Sequence, residues 1–228
     1  MSRSARPKAV VFDLDGTLVD SLPLVLAAIT YAVEPFGGRP TMDIFAHLGG
    51  PPDRFMAALV DRPENVPEAL ERMARYHRAN FHLIQPYPGA THLLEQLRSD
   101  GVQIAVWTGR DRASTVHVLQ EHRLAGHFAA VVCGDDLPSH KPDSAGLNEI
   151  MRQLGLKPEE IFFVGDADVD VLGGVGCGVD TLLIRHNRTI NENISARSWR
   201  TVGSHGEAYA VVLERVRQGD GKKLFASS

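Results

Sequence analysis

Four short segments of this chain carry side chains of the types that could do phosphate chemistry. Asp13-Leu14-Asp15-Gly16-Thr17 follows the apolar run 8–12, and Thr108-Gly109-Arg110 follows the run 102–107. His140-Lys141-Pro142 lies just beyond the run 128–133. Gly165-Asp166 follows the run 161–164, with Asp170 one helical turn later. If each run is a strand of one parallel sheet, all four clusters meet at its carboxyl edge, where such sheets bind ligands. Asp13, Asp15, Asp166 and Asp170 then crowd four carboxylates into one small volume, and their mutual repulsion calls for a counter-charge. A hard divalent cation supplies it. Magnesium is held by a few carboxylates, waters and a substrate phosphate oxygen. Lys141, the Thr108 hydroxyl and the loop N–H groups around Gly109 suit the same space to a phosphate dianion. One carboxylate can attack phosphorus and form an aspartyl-phosphate. A second, brought round by the bend at Gly16, can protonate the leaving oxygen and later take a proton from water.

The elements that must position these groups follow from hydrophobic periodicity. After the first run, Leu22, Val25, Ile29, Val33 and Phe36 recur at helical spacing and stop at Gly37-Gly38. Phe55, Met56, Leu59 and Val60 predict a second helix, and Val66 through Ile84 a third, with Pro67 in its first turn. No strand is expected between residues 22 and 85. Beyond Pro86-Tyr87-Pro88-Gly89 the rhythm changes. Helices over 90–99, 111–122 and 144–154 alternate with strands over 102–107, 128–133, 161–164 and 180–184. This alternation predicts an α/β fold, a Rossmann-like parallel sheet with helices on both faces. Residues 1–20 and 86–228 form the expected catalytic core, and 21–85 an inserted all-helical unit. Residues 187–204 read as a polar loop and 207–217 as a last helix.

Bulk properties exclude several classes. A formal charge of −4 gives no reason to expect nucleic acid or an anionic membrane as a partner. The chain has no apolar stretch long enough for a signal peptide or a membrane span, so a cytoplasmic protein is expected. Cys133 and Cys177 lie far apart without zinc-ligand spacing and read as small buried thiols. Asp135 and Asp136 read as turn residues, His140 as a shaper of the lysine loop, and Asp168 as a helix cap or solvent-facing residue.

The run Asp13 to Ser21 (DLDGTLVDS) resembles the first motif of the haloacid dehalogenase-like hydrolase superfamily. Thr108, Lys141 and Gly165 to Asp170 (GDADVD) resemble its second, third and fourth motifs, in order. The insertion 21–85 is similar to that superfamily's helical, type C1 cap. By position, the resemblance implies that Asp13 is the nucleophile and a Mg2+ ligand. Asp15 becomes the general acid/base, with its backbone carbonyl on the metal. Thr108, Gly109 and Lys141 hold the phosphoryl group, and Asp166 and Asp170 complete the metal site. Members that dehalogenate lack the second aspartate, so Asp15 favours phosphate esters. In the cap, His47, Gly50 and Arg54 lie where relatives select substrate, and Arg54 can meet a second anion by forked hydrogen bonds. Ser144 replaces a proline common in relatives and can cap a helix. The role of Arg110 is open. The expected function is a phosphatase for a small phosphorylated metabolite, phosphoglycolate phosphatase-like, acting as a monomer or homodimer. A sugar phosphomutase is the alternative on the same frame, although Val25 stands where many mutases carry histidine. A non-catalytic binding protein is the other alternative; such proteins usually lose a catalytic aspartate.

Overall fold

The computed structural model describes residues 6–41, 53–186 and 191–218. Its centre is strand β1 (Ala9–Phe12), four residues without exposed surface. A strand buried on both faces must be covered on both, and it is. β4 (Gln103–Trp107) pairs with one edge of β1 and β6 (Ile161–Gly165) with the other, both parallel. β5 (Ala130–Val132), β7 (Asp180–Ile184) and β8 (Arg200–Val202) complete a six-stranded sheet in the order β5-β4-β1-β6-β7-β8.

Side chains alternate across this sheet as the pleat requires. Val10, Phe12, Ile104, Val106, Phe162 and Val164 pack on one face with Leu93, Leu94 and Leu97 of α4 (Ala90–Ser99) and Val212 of α9 (His205–Gln218). Val11, Ala105, Trp107 and Phe163 take the other face with Leu147, Ile150 and Met151 of α6 (Ala145–Leu154). Two further helices follow strands of the sheet, α5 (Arg112–Glu121) after β4 and α7 (Asp168–Gly176) after β6. The α/β sandwich predicted from the sequence is therefore the fold. Register then does the positioning. Phe12 is level with Val106 and Val164, and β4 and β6 run one residue further, so all three strands end within one residue of the same height.

Residues between β1 and α4 build a separate apolar cluster. α1 (Leu22–Val33) and α3 (Val66–Ala79) pack together, joining Ala32, Val33 and Ala69 to Met56 of the short α2 (Asp53–Met56). The chain enters and leaves this helical part through a two-stranded antiparallel ribbon, β2 (Val19–Asp20) against β3 (Gln85–Pro86).

Several boundaries differ from expectation. α3 ends at Ala79 and a 3-10 turn over Phe81–Leu83 follows, because Asn80 breaks the helical backbone. α2 spans only four described residues. Strands β2, β3 and β8 occur where loop was expected. Ser144 stands at the start of α6, but its hydroxyl does not cap that helix. It donates to the Gly173 carbonyl at 2.7 Å and ties α6 to α7, while the Asp143 carboxylate accepts from Ala145 N.

Candidate active site

Asp13 begins where β1 ends, its N–H still bonded to the Val164 carbonyl at 2.8 Å. The backbone then turns sharply. Gly16 adopts φ 82°, a left-handed conformation costly for other residues, and any Cβ there would strike the Asp166 carboxylate. Two tethers fix this turn from behind. The Tyr209 hydroxyl donates to the Thr17 carbonyl at 2.7 Å, and His186 Nε2 bonds the Gly16 carbonyl at 2.7 Å.

Lys141 is the hub. Its ammonium donates to Asp13 Oδ1 and to Asp170 Oδ1, each at 2.7 Å, and lies over the rings of Trp107 and Phe163. The lysine is 6% exposed, Asp13 7% and Asp170 1%. Burial opposes the lysine's charge, yet Asp13 and Asp170 reverse that and raise its pKa, so it stays protonated. Asp13 moves the other way: burial pushes its pKa well up, Asp170, Asp166 and Asp15 push in the same direction, and Lys141 opposes them. Asp170 is braced at the head of α7, where its Oδ2 accepts from the N–H groups of Asp166 and Ala167 at 3.0 Å each.

Ligand oxygens of Asp13, Asp166 and Asp170 lie within 4.8 Å of one another, and all three residues are buried. All-oxygen donors of this kind suit a hard cation rather than zinc or copper. With all three ionised, three carboxylates against one ammonium leave two negative charges in the cluster, the complement of a divalent ion. The residues therefore fit Mg2+.

Asp15 stands apart from that cluster. Its carboxylate takes a forked pair of hydrogen bonds from Arg110, Nε at 3.0 Å and Nη2 at 2.5 Å, and a third from the Ser21 hydroxyl. Burial alone would raise its pKa; Arg110, by charge and hydrogen bond, and Ser21 lower it below the usual carboxylate range. This pair contributes stability above about pH 3.9, the ordinary carboxylate pKa, and loses it as pH falls through the lowered folded value. Arg110 itself is set by the second motif, its N–H bonded to Thr108 Oγ1 at 3.1 Å. The loop carrying Thr108 and Gly109 packs on the next loop, where Gly134 N–H donates to the Arg110 carbonyl at 2.8 Å.

The structure thus brings Asp13, Asp15, Thr108, Gly109, Lys141, Asp166 and Asp170 around one cavity of about 740 Å3. His47 and Gly50 fall outside the described residues, as does the side chain of Arg54. Asp168 corrects one expectation: it is the first residue of α7, after the cap position at Ala167, and only 5% exposed, so it neither caps nor faces solvent. Asp135 and Asp136 are more than turn residues. Asp135 accepts from Arg112 N, and Asp136 forms an ion pair with the Arg112 guanidinium, which anchors the start of α5. Cys133 is buried and Cys177 half-buried, neither in a disulfide.

Sequence reasoning left the role of Arg110 open and did not single out His77. Arg110 had one available signal, a cation directly after the Thr108-Gly109 loop on the strand beside β1. His77, on α3, faces the cavity; burial first and Arg110 second push its pKa down to about 4, so it is uncharged at neutral pH.

A parallel α/β sheet with buried carboxylates and a lysine at its carboxyl edge is the frame of a hydrolytic enzyme. The sequence pattern of the haloacid dehalogenase-like hydrolase family matches residues 10–184, and the chain belongs to that family. It is similar to phosphoglycolate phosphatase 1 of Pseudomonas aeruginosa, with 33% identity over 82% of this chain and 74% of that protein. It is also similar to the pyrophosphatase PpaX of Halalkalibacterium halodurans, with 31% identity over 77% of this chain and 82% of that one. Among solved structures it shares the fold of a Haemophilus somnus protein described as a predicted phosphoglycolate phosphatase. The TM-score is 0.79 at 22% identity, covering 92% of this chain and 98% of that one. No helix among the described residues is long and apolar enough to cross a membrane.

Proposed function

We propose that this enzyme is a Mg2+-dependent phosphatase that hydrolyses a small phosphorylated metabolite through an aspartyl-phosphate on Asp13. The observation that carries the reading is the Lys141 ammonium held between Asp13 and Asp170, with Asp166 beside them. Named relatives that are phosphatases and a pyrophosphatase support it. The experiment is a phosphate-release screen over phosphorylated metabolites with and without Mg2+. Release that is unaffected by chelation sinks the metal dependence, and release from no ester sinks the phosphatase reading.

Asp13, Asp166 and Asp170, with the backbone carbonyl of Asp15, would hold the ion. When bound, Mg2+ supplies positive charge against the phosphoryl oxygens. Lys141 and the Thr108 hydroxyl hold the transferring group, and Lys141 keeps one Asp13 oxygen fixed so that the other can attack phosphorus. Asp15 protonates the leaving oxygen in the first step and accepts a proton from water in the second. To donate, it must exchange its fork to Arg110 for a proton. Residues 21–85 act as a cap and 1–20 with 86–228 as the core, and cap closure excludes bulk water while the intermediate forms. His47, Gly50 and Arg54 belong to the substrate-selecting part of that cap. The protein works in the cytoplasm.

Two results are expected. Arg110→Leu leaves Asp15 without its fork, and kcat should fall roughly a hundredfold, the scale of a displaced catalytic group. Arg110→Lys keeps the charge without the fork and should fall between the two. Equal kcat in all three proteins contradicts the positioning of Asp15 by Arg110. In the second, Mg2+ should raise the melting temperature, and more so at pH 8 than at pH 5.5. The raised pKa of Asp13 means that its ionisation destabilises the metal-free fold as pH rises, and the cation removes that cost. At a concentration about a hundredfold above its Kd the gain should be roughly 5–10 °C. A gain larger at low pH contradicts the metal cluster.

A further inference from the structure

We infer that the leaving group of this enzyme's substrate carries a flat, mainly apolar ring; this rests on the phosphatase reading. The cavity extends from the phosphoryl site to the helical insertion, and about 740 Å3 is far more than a phosphate and two carbons need. Pockets of roughly 300–1,000 Å3 take ligands of drug size. Beyond the acidic cluster the walls include Leu22, Val25 and Ala28 of α1, Met73 of α3, Phe81 and Val169.

Charge among the described residues argues the same way. A carboxylate on the leaving group needs a counter-ion inside the cavity. Arg110 is committed to Asp15, and Lys141 to Asp13 and Asp170. His77 is uncharged at neutral pH. Among the described residues lining the cavity, the arginine left without an ion pair is Arg78, exposed at the rim. The far wall is aromatic instead. The His77 ring meets Phe81 edge-on, with centroids 5.4 Å apart and planes at 82°. Phe81 meets His117 of α5 at 4.4 Å and 66°. Flat π-surfaces in such a wall favour a ring as the occupant.

Binding and turnover test this separately. In the presence of Mg2+, calorimetry compares three phosphonates: 2-phenylethylphosphonate, propylphosphonate and 3-phosphonopropionate. They mimic benzyl phosphate, ethyl phosphate and 2-phosphoglycolate. The phenyl compound should bind at least tenfold more tightly than either of the others, and kcat/KM for benzyl phosphate should exceed that for ethyl phosphate and 2-phosphoglycolate by the same factor. Met73→Lys should reverse the order of phenyl and carboxylate ligands. Equal affinities in the parent protein, or a preference for 3-phosphonopropionate, overturn the inference whether or not the variant folds. If the phenyl ligand binds best but no ester is hydrolysed, the pocket assignment stands and the phosphatase reading fails.

Discussion

Asp13→Asn should lower phosphate release by about 10^4-fold or more, the scale seen when a nucleophile is removed from a group that acts as a unit. Asparagine keeps the size of the side chain but cannot form the acyl phosphate. Its loss should leave the fold intact. The Asp13 carboxyl is buried and its pKa is pushed up first by that burial and then by Asp170, Asp166 and Asp15, so the ionised form is held against a cost. Lys141 retains its bond to Asp170 in the variant. The metal-free melting temperature of Asp13→Asn at pH 8 should therefore equal or exceed that of the parent. A variant that is inactive because it unfolds, or one that keeps parental kcat, contradicts this account. Thermal denaturation beside a phosphate-release assay distinguishes the two.

Lys141→Met should damage both stability and activity. The ammonium bonds two buried carboxylates at 2.7 Å each, and its removal strands their charges together. Breaking a buried ion pair from one side costs about 3–5 kcal/mol, which in a chain of this length lowers the melting temperature by roughly 10 °C. The deficit should narrow at pH 5, where Asp13 more readily takes up a proton, and in Mg2+, which restores positive charge. Catalysis should not recover with the fold. Without a cation to orient Asp13 and meet the phosphoryl oxygens, kcat should stay about 10^3-fold down. A methionine variant as stable as the parent at pH 8 contradicts the ion-pair geometry.

Much of this arrangement is legible in the sequence because short apolar runs ending in polar clusters leave few alternatives. Ala9 to Phe12, Ile161 to Val164 and Leu182 to Ile184 are too short for helices and too apolar for loops, and helix 90–99 is bounded by Gly89 and Gly101. The strands that were missed carry almost no periodicity. Val19–Asp20 and Gln85–Pro86 are two residues each, and Gln85-Pro86 sits inside what reads as a turn. Of Arg200–Val202 only Val202 is buried, so nothing in its composition marks an edge strand. Asp13, Thr108 and Asp166 were found because each directly follows a recognisable strand, and Lys141 and Asp170 because they lie on the loop or helix that comes next. The role of Arg110 stayed open, because its partner Asp15 lies 95 residues away and no local spacing connects them. His77 was hidden for a related reason: helical periodicity says which face of α3 is inward, but not that this inward position borders the cavity rather than the core.

The most direct measurement is to quench the enzyme with acid during turnover, reduce it with borohydride and map the modified peptide by mass spectrometry. An acyl phosphate on a carboxylate is reduced to the alcohol, so Asp13 should appear as homoserine, only when substrate and Mg2+ are both present. Modification at another aspartate, or none while phosphate is being released, would contradict the assignment of Asp13 as the attacking group.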